Sequence, residues 1–241
     1  MNIFDSWLVN TFVAHRGLHD EEAPENSLAA FKKAKDNFYA IELDVQLLSD
    51  GTVAVFHDTT LARMTGGDGF ISALKKEDLK KHKLLGTKEC IPTLNEVLEL
   101  ISGDVPILIE IKNPNKVGEL ENAVLEIVKK YKGEFAIMAF NPYVLAWFKE
   151  KAPNILRGQL GGYLKKEKMT FWKKLAIKSM ILNKSNQPHF IAYEASTLPN
   201  KFVRKYKQLP LLAWTVRSQK EFLNVVKFSD NIIFEGFEPK I

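Results

Sequence analysis

Cysteine is almost absent from this chain. Its 241 residues hold one, Cys90, so no internal disulfide can form. That suits a reducing compartment, and a cytoplasmic location is expected. No run of 18 apolar residues occurs, which excludes a membrane-spanning helix. Met1 to Asn10 carries Asp5 and no Lys or Arg, so the basic start of a secretion signal is lacking. No Pro-rich or Gly/Ser-rich linker separates two halves, and no internal repeat stands out. A single domain over residues 1–241 is therefore expected. Gly66, Gly67 and Gly69 share one loop, but no Gly-Lys-Ser/Thr follows them, so they are not a P-loop.

What is present is ordinary for a globular chain. Hydrophobic residues make up 46% and charged residues 26%, which rules out a disordered or fibrous protein. The net charge of +5 is unevenly placed. Residues 161–188 hold seven Lys and one acid, a net +6, which leaves the rest of the chain at −1. The basic character therefore belongs to one segment. No nucleic-acid motif accompanies it, and no nucleic-acid partner is expected. Contact with an anionic membrane through residues 161–188 is the competing use of that charge. A helix over Lys166–Leu182 is expected there. It sets Phe171, Leu175 and Leu182 on one stripe extended by Trp172, Ala176 and Met180, with Ile177 and Ile181 exposed among the opposite lysines 173, 174 and 178.

Short β-branched runs alternate with helical patterns along the whole chain. Strands are expected at Phe12–Ala14, Ala40–Leu47, Val53–His57, Val105–Ile111, Phe135–Phe140, Leu156–Leu160, Phe190–Tyr193, Leu211–Val216 and Ile232–Glu235. Only Leu48 to Thr52 separate the second and third, and Asp50-Gly51 marks a tight turn. A parallel crossover needs a dozen or more residues, so Val53–His57 must run antiparallel. Setting it aside leaves eight strands joined mostly by helices, the count of an α/β protein of the (β/α)₈ TIM-barrel class. Residues 58–86 then form a small insertion after the second barrel strand.

In such a barrel the active site lies at the C-terminal strand ends. The first strand runs into His15-Arg16-Gly17. Period-two alternation puts Glu42 and Asp44 on one face of the second strand, and Glu110 and Lys112 on one face of the strand Val105–Ile111. Carboxylates crowded inside a barrel lose hydration and repel one another, so Glu42, Asp44 and Glu110 call for a cation. Oxygen-only ligation favours Mg²⁺, Ca²⁺ or Mn²⁺ over Zn²⁺. His57, at the end of the hairpin, returns to the same mouth as His15. Two imidazoles, Arg16, Lys112 and a divalent cation suit phosphoryl chemistry. Trp214 offers an apolar wall for a small polyol.

These residues fall into an ordered set. The set is His15-Arg16-Gly17, Pro24-Glu25-Asn26-Ser27, Glu42-x-Asp44-Val45, Asp50-Gly51, His57-Asp58, Ile91-Pro92-Thr93-Leu94, Glu110-x-Lys112 and Trp214-Thr215-Val216. In that order the chain resembles the glycerophosphodiester phosphodiesterases over residues 12–235. The resemblance implies hydrolysis of glycerophosphodiesters to glycerol 3-phosphate and an alcohol. It implies a cation held by Glu42, Asp44 and Glu110, acid and base roles for His15 and His57, and phosphate contacts from Arg16 and Lys112. It implies attack by the glycerol 2-hydroxyl and a cyclic phosphate opened by water. Besides Ser27 for the family's Thr, which keeps the hydroxyl, two places depart from the pattern. Arg217 stands where the family has Asn. Asp230-Asn231-Ile232-Ile233-Phe234-Glu235 replaces Asp-Gly-Ile-Ile-Thr-Asp. Two alternatives compete: a phosphodiesterase acting on lysophospholipids at a membrane surface, and a barrel kept only for binding.

Overall fold

A computed structural model of the chain describes residues 2–113, 116–164 and 170–240. They gather into two compact units, residues 14–135 and residues 1–13 with 136–241. All nine expected strands form, the second and eighth with the expected ends and the others with at least one end shifted: β1 (Val13–Ala14), β2 (Ala40–Leu47), β3 (Val53–Val55), β4 (Ile107–Ile111), β5 (Phe135–Ala139), β6 (Arg157–Gly161), β7 (Phe190–Glu194), β8 (Leu211–Val216) and β9 (Asn231–Phe234).

In the unit 14–135, β2 is the central strand. It pairs parallel with β4, Asp44 opposite Glu110, and antiparallel with β3, Val45 opposite Val55. The hairpin is the one the Asp50-Gly51 step dictates. Gly51 takes φ 82°, which a side chain resists, and its N–H donates to Leu48 O at 3.1 Å. Asp50 Oδ1 accepts from Thr52 N at 3.0 Å and closes the turn. Seven of the eight residues of β2 are buried. Burial on both faces is how a strand between helices and a barrel interior reads. The insertion has its own apolar cluster, in which Leu61, Met64, Ile71, Leu79 and Leu84 pack on Ala54 and Phe56. It also holds a 3₁₀ helix, Lys76–Lys81.

Helices in this unit start where side chains can satisfy free N–H groups. Ser27 Oγ accepts from Ala30 N at 3.1 Å and opens the helix Leu28–Asp36. Thr93 and Glu96 form a reciprocal cap for Leu94–Ile101, whose Leu94, Val97, Leu98 and Ile101 are buried at helical spacing.

In the second unit β5 to β9 run parallel in sequence order. The expected helix Lys166–Leu182 is shorter. It spans Phe171–Ser179 and ends because Met180 turns left-handed, φ 51°. Its expected first turn, residues 166–169, lies outside the described residues. The lysines also sit differently from the expectation. Lys174 and Lys178 follow Phe171 by three and seven residues and so share its stripe, rather than opposing it. Ile177 is half-buried, Ile181 is exposed as expected, and Phe171, Trp172 and Leu175 are exposed as well. Among the described residues, no helix is long and apolar enough to cross a membrane.

Candidate active site

Seven of the eight expected site residues lie in the unit 14–135, between His15 and Lys112. Parallel pairing of β2 and β4 brings Asp44 beside Glu110, and the two-residue step adds Glu42 on the same face. One oxygen from each carboxylate lies within 4.8 Å of the others. Glu42 and Asp44 have no solvent exposure at all. Burial pushes the Glu42 carboxyl well above its usual range, and the charges of Asp44 and Glu110 push it further. Burial also raises Glu110, against the pull of Lys112. Burial would raise Asp44 too, but Lys112 and Arg16, with the two imidazoles, hold it below the usual carboxylate range.

The cations close around this triad. Lys112 Nζ lies 3.1 Å from Glu110 Oε1 and 3.5 Å from Asp44 Oδ1. Arg16 turns left-handed at φ 56°, which lets one residue serve three carboxylates. Its N–H donates to Glu42 Oε2 at 3.0 Å, its Nε lies 3.2 Å from Asp44 Oδ2, and its Nη1 donates to Glu25 Oε1 at 2.7 Å. Gly17, at φ 83°, makes that turn feasible. A Cβ there would stand 2.8 Å from the carbonyl carbon of Ala30. His15 Nε2 is 3.9 Å from Glu42 Oε2. His57 Nδ1 is 2.7 Å from Asp58 Oδ1. Gln46 fixes this turn to β2 by donating to Phe56 O and Asp58 O, both at 2.8 Å.

Three contacts were not read from the sequence. Asn26 suits a helix cap, yet Ser27 does the capping. Asn26 instead donates to Asp44 Oδ2 at 2.9 Å and is buried. Gln46 is the second. Arg63, in the insertion, is the third, and it joins Glu25 to Asp58. Its partner Glu25 is 38 residues away, so no local pattern betrays it. The Pro-Glu-Asn-Ser stretch was the available signal for Asn26.

Trp214 lies in the other unit. Its ring meets Phe140 edge-on at 5.5 Å, and it lines a cavity of about 920 Å³ with Glu194, Ser196, Arg217 and Phe228. The two departures from the family pattern meet here, since Arg217 Nε donates to Glu235 Oε1 at 2.5 Å.

The residues present fit a divalent cation. Glu42 Oε1 and Asp44 Oδ1 are buried and accept no hydrogen bond from the described residues. Three converging carboxylates offer only oxygen, the donor set of a hard cation. Flanked by two basic side chains and two imidazoles, this is the constellation of a phosphate-ester hydrolase.

Comparison with known proteins agrees. The family model for the glycerophosphoryl diester phosphodiesterase family matches residues 15–234, and the chain belongs to that family and to its class of enzymes. A glycerophosphodiester phosphodiesterase of Caldanaerobacter subterraneus subsp. tengcongensis is 39% identical over 162 residues, 61% of this chain and 65% of that protein. Among solved structures, an Oleispira antarctica phosphodiesterase in complex with the product sn-glycerol-3-phosphate is 26% identical. Its TM-score is 0.78, with 93% of this chain and 92% of that one covered. The Thermotoga maritima glycerophosphodiester phosphodiesterase is 28% identical with a TM-score of 0.72, covering 93% and 94%. The fold class shared with these structures is the (β/α)₈ barrel.

Proposed function

We propose that this chain hydrolyses glycerophosphodiesters to glycerol 3-phosphate and an alcohol, acting in the cytoplasm as one catalytic domain over residues 1–241. The observation that carries the reading is the buried triad Glu42, Asp44 and Glu110 within 4.8 Å, with Arg16, Lys112, His15 and His57 around it. The product in the Oleispira antarctica structure belongs to the same chemistry.

Glu42, Asp44 and Glu110 would hold Mg²⁺, Ca²⁺ or Mn²⁺, which supplies a positive charge against the phosphoryl oxygens. Arg16 and Lys112 draw the phosphate in and oppose the charge that develops on its oxygens. One of His15 and His57 takes the proton of the attacking 2-hydroxyl while the other protonates the departing alcohol oxygen. A P–O bond forms as the bond to the alcohol breaks. Water then opens the cyclic phosphate with the two roles exchanged. Asp58 holds His57 through Nδ1, so Nε2 is the working nitrogen of that ring. Trp214 serves as the apolar wall for the glycerol.

The test is glycerol 3-phosphate release from choline, ethanolamine and glycerol phosphodiesters with Mg²⁺, Ca²⁺, Mn²⁺ or EDTA. Release with at least one cation and none in EDTA is expected. No release from any diester with any cation would overturn the reading.

A further inference from the structure

The helix Phe171–Ser179 differs from the other helices of its size. The helices Leu28–Asp36, Leu94–Ile101, Glu119–Val128, Pro142–Lys151 and Gln219–Val225 each bury two or more residues. Among its described side chains, Phe171–Ser179 buries none. Its inner side is nevertheless defined, because Ala176 and Ile177, with Met180 beyond the helix end, line a small cavity of about 20 Å³ beneath it. The outer side carries Phe171 at 71% exposure, Trp172 at 75% and Leu175, and Ile181 follows at 67%. The two aromatic rings meet edge-on at 5.4 Å. An amphipathic helix normally turns such residues inward.

Charge stands on the same side. Lys174 and Lys178 lie three and seven residues after Phe171, on its stripe. Lys178 Nζ sits 3.7 Å above the Tyr163 ring, which holds that ammonium in place. Lys184 follows in the next short helix. This surface sits in the stretch of net +6, in a chain otherwise at −1.

Three occupants compete. A nucleic acid would use the lysines and leave Phe171, Leu175 and Ile181 in water. A second copy of the chain, packed face to face, would set this positive charge against itself. An anionic lipid surface uses both components: Trp and Phe settle at the headgroup level while Lys meets the lipid charge.

We propose that the face formed by Phe171, Trp172, Leu175 and Ile181, rimmed by Lys174, Lys178 and Lys184, docks this chain reversibly on an anionic phospholipid leaflet. Given the proposed activity, docking keeps the enzyme where glycerophosphodiesters leave the lipid pool. Docking is read by sedimentation and activity by product release, so either reading can fail without the other.

The experiment is co-sedimentation of the full chain with vesicles of phosphatidylcholine alone or mixed with phosphatidylglycerol, at low and at physiological salt. Binding only to the phosphatidylglycerol vesicles, weakened by salt, is expected. Lys174→Gln with Lys178→Gln should lower partitioning about 30-fold. Phe171→Ser with Trp172→Ser, both exposed and so tolerated by the fold, should lower it at least as far. Turnover of a soluble glycerophosphodiester should be unchanged in both variants. No binding at low salt, equal binding to both vesicle types, or indifference to both double substitutions would overturn the proposal. So would a concentration-dependent dimer dissolved by Phe171→Ser with Trp172→Ser, since the covering partner would then be a second copy.

Discussion

Arg63 grips Asp58 at two points, Nε to Oδ2 at 2.6 Å and Nη2 to Oδ1 at 3.0 Å, and the same Oδ1 is the partner of His57 Nδ1. The guanidinium also spans both oxygens of Glu25, at 2.7 and 2.8 Å. Asp58 is held below the usual carboxylate range against its partial burial, first by Arg63 and then by His57. Arg63→Ala should therefore loosen the ring and lower kcat about tenfold, the scale of losing an orienting partner, with KM little changed. Arg63→Lys should recover only part, because an ammonium cannot form the planar two-point contact. Steady-state kinetics decide it. A loss confined to KM would show that Arg63 acts on binding instead.

Proton transfer gives a sharper outcome. His15→Ala and His57→Ala should each lower turnover about 10²-fold or more. The double variant should be little worse than the weaker single one, since groups acting together are not additive. A single variant with near-normal turnover would make that imidazole structural.

Glu110→Gln should cut activity sharply and weaken divalent-cation binding while the circular dichroism spectrum stays that of the parent. Gln keeps the shape of Glu110, and its amide oxygen can still accept from Lys112 Nζ, which lies 3.1 Å from Glu110 Oε1. Full activity in excess EDTA after prolonged dialysis would show that no cation is required.

Glu42 predicts a stability effect of opposite sign. Its folded-state carboxyl lies well above the ordinary carboxylate range, raised by burial, Asp44 and Glu110. An acid raised on folding favours the fold at low pH. That contribution fades as pH climbs from about 4.3, its unfolded value, through the raised folded one. Without cation at neutral pH, Glu42→Gln should raise the melting temperature by about 2–4 °C, near 1 kcal/mol for a chain of this size. Added Mg²⁺ or Ca²⁺ should stabilise the parent more than the variant. Calorimetry with cation or EDTA separates the cases. A destabilised variant in EDTA would mean that the Glu42 charge is already compensated by Arg16.

The sequence revealed most where the chemistry is periodic or local. Glu42, Asp44, Glu110 and Lys112 were legible because a strand alternates every two residues. The hairpin was legible because Asp50-Gly51 permits one tight turn. The helix after β6 was misjudged at both its end and its face. Its end depends on Met180 leaving helical geometry, and nothing in the residue type announces that. Trp7–Asn10 escaped notice because four residues make too short a period to register. Asn26 and Arg63 were obscured for a different reason. Asn26 acts on Asp44, 18 residues away, and Arg63 bridges nearby Asp58 to Glu25, 38 residues away, and such distances follow from the fold and not from spacing.

Every group proposed for proton transfer, cation binding and phosphate contact lies between His15 and Lys112, inside a single compact unit. Such a kit is inherited in one contiguous stretch of the gene. A crossover near codon 135 would exchange the remaining strands and loops, Arg217 among them, without dividing it. Chimeras joined there, assayed for which diester they turn over, separate the reaction itself from the choice of alcohol.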